Sequence, residues 1–171
     1  MENTASPGTP AGFEPIFRRS PFLDTIGPLY NKGMGAPMAI GFHVHEKHTN
    51  ARGLLHGGVL ATVADIAMGY AIASSATPSV SLITASLTVD FIGSAKIDDW
   101  VETRVEIQKL GGRLAFANVY FEAAGQRIAS ARGVFVVAEA KKQAYSGITE
   151  KEVAKYGVSA KHELGTPRCS S

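Results

Sequence analysis

Cysteine is nearly absent: Cys169 is the single example in 171 residues. One thiol cannot form a disulfide within the chain, so the fold must rest on its core, and a reducing, cytoplasmic setting is expected. An excess of either charge is also missing, with 17 Lys and Arg against 15 Asp and Glu and a formal net charge of +2. That balance supports neither a nucleic-acid surface nor a polybasic membrane patch. The opening MENTASPGTPAGFEP has no basic start and no apolar stretch of the kind a secretory signal carries. There is no G-x-S-x-G elbow for a serine hydrolase, and the glycine pairs do not fall in the βαβ frame of a nucleotide-binding loop. His43, His45 and His48 lie close together, but no cysteine or further ligand at a fixed spacing accompanies them. Ordinary polar positions are expected there, with no metal site.

The length suits one domain with tails. Residues 1–20 are rich in Pro, Gly, Ser and Thr and read as a flexible arm; 21–140 form the domain; 141–171 are a polar tail with a possible short helix over 149–156. A short amphipathic piece is expected over 22–30, closed by the turn signal Asn31-Lys32-Gly33. From 36 to 46, Met38, Ile40, Phe42 and Val44 alternate with smaller or polar residues, which predicts a strand with one face in the core. Beyond Pro78 the pattern is all strand: 80–92, 101–107, 114–123 and 128–138, with turns at Gly111-Gly112 and Gly125-Gln126. Four successive strands with short connections predict an antiparallel meander.

Between these lies an apolar run that begins after His56-Gly57-Gly58 and ends near Ser74. Its length approaches the ~20 residues of a membrane span, but it carries Asp65, and no second apolar span exists to supply that acid with a partner. A helix buried in a core is the expectation, cupped by the sheet on all sides. An ionised Asp in such surroundings is costly unless hydrogen-bonded, paired or wet, so Asp65 is a candidate for chemistry.

The run N-x-x-G-x-x-H-G-G and then T-x-A-D-x-A-x-G-Y (Asn50, Gly53, His56, Gly57, Gly58, Thr62, Ala64, Asp65, Ala67, Gly69, Tyr70) resembles the hot-dog-fold acyl-CoA thioesterases of the phenylacetate-pathway type. The similarity continues through Ile83-Thr84, Asp90-Phe91-Ile92, Ala95-Lys96 and Gly112-Arg113-Leu114 to Gly133, covering roughly 36–138. The resemblance implies an α+β hot-dog fold, an antiparallel sheet wrapped around one long central helix. It also implies a homodimer, often doubled to a homotetramer, that hydrolyses an acyl-CoA without metal or organic cofactor. Carried over by position, Asp65 is the catalytic carboxylate, Gly57 and Asn50 face the thioester carbonyl, His56 positions that loop, and Thr84 lies beside the attacking water. CoA is implied near Phe91 to Lys96, which includes Gly93 and Ser94, and near Lys109 to Leu114, which includes Gly112.

Elementary chemistry agrees with these roles. Thioester hydrolysis needs a donor for the developing oxyanion and a group to activate water. The first turn of a helix offers unpaired N–H groups, and Gly57 and Gly58 let a substrate approach them. Gly58 and Asp65, however, are ~10 Å apart along a helix that rises 1.5 Å per residue. One chain is therefore not expected to supply both to one carbonyl, and a two-fold antiparallel dimer would bring them together. Lys96, Lys109 and Arg113 are cations suited to CoA phosphates. Met68, Tyr70, Met34, Met38 and Phe91 are candidates for the acyl pocket. Two other functions stay open on this fold: a hydratase or dehydratase acting on acyl-CoA or acyl-carrier protein, and a non-catalytic acyl-binding module.

Overall fold

The computed structural model describes residues 8–35 and 37–138; the expected helix over 149–156, the rest of the polar tail with Cys169, and the first seven residues lie outside them. In chain order the elements are β1 (Glu14–Pro15), α1 (Pro21–Ile26), β2 (Tyr30–Lys32), β3 (Ala39–His43), a 3-10 turn (Glu46–His48), α2 (Gly57–Ser75), β4 (Ser81–Phe91), β5 (Trp100–Leu110), β6 (Leu114–Ala123) and β7 (Gln126–Ala138). All strands join one antiparallel sheet in the order β1-β2-β3-β5-β6-β7-β4.

This order corrects the expected four-strand meander. Only β5, β6 and β7 are consecutive neighbours; β4 pairs with β7 at the far edge, and β5 pairs back onto β3. The cause is α2, which crosses the sheet between β3 and β4 and delivers β4 to the opposite edge. Buried apolar residues on alternate strand positions, including Phe42, Val101, Val119, Phe121 and Phe135, face the helix.

On α2 the buried residues Leu60, Val63, Ala64, Ala67, Met68, Ala71 and Ile72 recur every three to four positions, which is the stripe a helix lays on a sheet. The opposite face, with Gly58, Thr62, Asp65, Gly69, Tyr70 and Ala73, is exposed or only half covered. The helix is thus apolar all round in composition, but this chain covers one side of it.

The supposed arm also needs correction. Phe13 is only 5% exposed, its ring edge-on to Trp100 with centroids 5.0 Å apart, and Glu14–Pro15 pair with Tyr30–Asn31. Trp100 lies against Gly41, where a Cβ would come within 2.2 Å of the indole Cζ2, so glycine is required there. A buried aromatic cluster thus orders residues whose composition suggests a loose chain. Helix α1 is short because Ser20 caps it, its Oγ accepting from Leu23 N at 3.2 Å, while Gly27 and Pro28 end it.

Candidate active site

Asp65 lies midway along α2 on the half-covered face, and Thr84 of β4 donates its hydroxyl hydrogen to Asp65 Oδ1 at 2.6 Å. A β-bulge makes that contact possible. The register of β4 on β7 shifts between Thr84 and Ser86, so Leu82 and Thr84 share the helix-facing side with Leu87, Val89 and Phe91. Without the extra residue strict alternation would turn Thr84 to the outer face. The bond fixes the carboxylate and leaves Oδ2 for a water, while the Thr84 oxygen can still accept from that water.

The other candidate residues gather at the N-terminus of α2. His56 is the N-cap, and its Nδ1 accepts from Gly58 N at 2.8 Å. Val59 N and Leu60 N reach His56 O at 3.0 and 3.5 Å. Among the described residues, Gly57 N–H is therefore the first-turn donor left without a partner. Asn50 folds the preceding loop: its Oδ1 accepts from Arg52 N at 2.8 Å and Leu54 N at 3.4 Å. With the oxygen engaged, the amide Nδ2 is the group it can offer to a ligand. The loop after β4 lies alongside, Leu55 N donating to Ala95 O at 2.8 Å and Leu54 bridging Lys96. The Phe91 ring sits over Gly57, close enough that a Cβ there would be 2.9 Å from Cε1 and Cζ. Gly93 N is tied to Ile128 O at 2.8 Å, and Ser94 and Lys96 are exposed beside this group.

These two groups do not meet within the chain. Gly57 and Asp65 are ~12 Å apart along the helix axis. Thr84 and Phe91 are roughly 20 Å apart along β4 at about 3.3 Å per residue. Lys109, Gly112 and Arg113, all exposed, form a third group at the β5–β6 turn, which lies toward the Thr84 end of the sheet through the bond from Val137 N to Arg113 O. Met68 departs from expectation. It is 0% exposed, with Cε against the position of Gly133, so it fills the core under α2 and does not face a substrate. Met38, 1% exposed, is likewise a core residue.

A residue expected to be an ordinary polar position turns out to be buried and to brace this site. His48 is 1% exposed, and its Nδ1 accepts from His45 N at 3.0 Å. A backbone N–H can only donate, so the ring proton is on Nε2, which donates to Ile26 O of α1 at 2.6 Å. His48 O in turn accepts from His56 N at 2.8 Å. The ring thereby ties α1 to the loop that carries Asn50 and His56. Burial, followed by the charges of Lys47 and His45, holds the His48 pKa below the ordinary imidazole value of 6.5, outweighing the bond to Ile26 O. A proton here is bound more tightly by the unfolded chain. The stability from neutral His48 is therefore whole above pH 6.5 and drains away as pH falls from there through the folded-state value. Thermal melts from pH 7.5 to 5 are expected to show a larger fall in Tm for the wild type than for His48→Gln, which does not titrate; parallel curves would rule this out.

Comparison with known proteins identifies the family. The thioesterase superfamily model matches residues 52–130, which span the α2 N-terminus, Asp65 and Thr84. PA0474 of Pseudomonas aeruginosa, a protein whose name carries the word esterase, is 41% identical over 127 residues, 74% of this chain and 95% of that one. Mouse acyl-coenzyme A thioesterase 13 is 36% identical over 78 residues, 44% of this chain and 54% of that one. The crystal structure of zebrafish thioesterase superfamily member 2 superimposes with a TM-score of 0.61 at 26% identity, covering 64% of this chain and 81% of that chain. With one long helix on an antiparallel sheet among its described residues, and its acid held by Thr84, this chain belongs to the thioesterase superfamily: it is a thioester hydrolase of the hot-dog fold.

Proposed function

We propose that this enzyme hydrolyses an acyl-CoA to the free acid and CoA, at sites completed by a second copy of the chain. The observation that carries the reading is the separation of two complementary half-sites, Asp65 with Thr84 and Gly57 N–H with Asn50 Nδ2. The relative named as an acyl-coenzyme A thioesterase supports the substrate class.

The edge that would join two copies is β4. It is a sheet edge of eleven residues with Ile83 62% and Phe91 59% exposed, and Ile92 follows at 61%. An open edge of that length invites pairing with another strand. Two β4 strands pairing antiparallel about a two-fold axis set the Thr84 end of one beside the Phe91 end of the other. Asp65 of one protomer then faces the partner subunit's Gly57. The same pairing puts Lys109 and Arg113 on the side of the partner subunit's Lys96, giving cations from both chains for the CoA phosphates. A homotetramer would be two such dimers, and nothing in the reaction calls for a metal or organic cofactor.

In the reaction, water held by Thr84 and Asp65 adds to the thioester carbonyl carbon as Asp65 Oδ2 takes its proton. The oxyanion forms against Gly57 N–H and Asn50 Nδ2 of the other protomer. The C–S bond then breaks, the acid leaves, and the CoA thiolate regains a proton. Asp65 attacking directly, with water opening the resulting anhydride, fits the same groups.

Two measurements test this. Release of free thiol from a panel of acyl-CoAs separates hydrolysis from hydration or mere binding, neither of which liberates CoA. Mixing inactive Asp65→Ala with inactive Gly57→Pro is expected to restore about a quarter of wild-type activity, since half of randomly mixed dimers hold one intact site. No recovery in dimers proven to have exchanged subunits would sink the shared site.

A further inference from the structure

The open face of α2 has two different shoulders. Its floor is small, with Gly58, Thr62, Gly69 and Ala73, spaced four, seven and four residues apart on one face, exposed or half covered. On one shoulder Asp65 leans toward Thr84 of the edge strand. On the other stands Tyr70, and it is met by the N-terminal segment: the Phe17 ring lies 5.2 Å from the Tyr70 ring at a tilt of 56°, and the Arg18 guanidinium lies 5.2 Å from the Tyr70 centroid.

That segment is firmly placed. Phe13 is buried against Trp100 on the outer face of the sheet, and Glu14–Pro15 pair with β2. Ile16 N donates to Leu29 O at 2.9 Å, and Phe17 N donates at 3.1 Å to Oδ1 of Asn31, a residue 2% exposed. The chain thus passes round the β2 edge from the outer face to the helix side and ends on Tyr70, five residues beyond Asp65. Five residues are ~7.5 Å along a helix axis.

We propose that Phe17 and Tyr70 form the closed end of the acyl groove and restrict the acyl group to a short chain or a single aromatic ring. The inference rests on the acyl-CoA reading above. With the carbonyl held at Asp65, an acyl group running toward the C-terminal end of α2 crosses Gly69, where a Cβ would meet only Phe135 Cε1 at 3.9 Å, and then reaches the ring pair. Offset or edge contacts with two tilted rings favour a planar aromatic acyl group. A long chain would have to displace a ring pair packed between the helix and a backbone-bonded strap.

The test is kcat/KM of the full chain for acetyl-, hexanoyl-, benzoyl-, decanoyl- and hexadecanoyl-CoA, in the wild type, Phe17→Ala and Gly69→Leu. Phe17→Ala is expected to raise the decanoyl-to-hexanoyl ratio ~10-fold or more, because opening a pocket by a few carbons is worth that much discrimination. Gly69→Leu keeps the strap intact and has room for its Cβ. It is expected to lower the hexanoyl-to-acetyl and benzoyl-to-acetyl ratios of kcat/KM ~10-fold. Unchanged ratios, equal losses on every acyl group, or a wild type that prefers hexadecanoyl-CoA would overturn the inference alone. Absence of thiol release from every thioester would overturn the acyl-CoA reading and this inference with it.

Discussion

Asp65→Asn is expected to lower kcat by roughly 10²- to 10⁴-fold, the usual contribution of a positioned acid or base, with little change in Tm. The substitution is nearly isosteric. The Asn oxygen can still accept from the Thr84 hydroxyl, which reaches Asp65 Oδ1 at 2.6 Å, so the link between α2 and β4 survives. What is lost is the charge at the free oxygen, the atom that would take a proton from water or attack the carbonyl. KM should move little, since the carboxylate contributes to the transition state more than to holding CoA. Activity within tenfold of the wild type in a folded variant would remove Asp65 from the reaction. Thr84→Val separates the two parts of the pair: it keeps the carboxylate and deletes its orienting bond.

The second large effect is expected at Gly57, and two substitutions isolate the backbone donor. Gly57→Ala and Gly57→Pro both add a Cβ that crowds the Phe91 ring, at 2.9 Å from two of its carbons, so both force Phe91 to shift. Only proline removes the N–H. Proline is tolerated at the first position of a helix, and His56 ahead of it already has φ −72 and ψ 133, the extended backbone a residue before proline prefers. Helix α2 should therefore keep its start in both variants. Loss of one oxyanion donor typically costs ~10² to 10³ in kcat, about 2.7 to 4 kcal/mol, and that gap is expected between the proline and alanine variants. Equal kcat values in the two would show that Gly57 N–H does not face the oxyanion, and that the crowding of Phe91 accounts for any shared loss.

Local signals placed the elements that carry this site well. The glycine pair and the polar lead-in marked the start of α2, and period two marked strands whose observed bounds differ from expectation by a few residues. Met68 was misplaced because an apolar residue near a catalytic acid reads the same whether it faces a substrate or the core; its contact near Gly133 of β7 decides between them. His48 reads locally as an ordinary polar position, whereas it is buried and its partners are the carbonyl of Ile26, far back in the chain, and a backbone N–H. Residues 13–17 looked loose by composition, yet Trp100, remote in sequence, gives Phe13 a place to bury.

By itself the sequence determined what depends on spacing along one element: a helix that starts at Gly57, carries Asp65 on one of its faces, and sets that acid too far from the glycine start for the two to serve one carbonyl. Only the tertiary structure decided which groups meet across elements. The bulge in β4 turns Thr84 onto Asp65, the crossover sends β4 to an open edge, and Phe17 closes on Tyr70. The physical reason is that helical and strand periodicities record which side of an element is apolar, while strand order, register shifts and long-range hydrogen bonds arise from how the whole chain satisfies its backbone and fills its core.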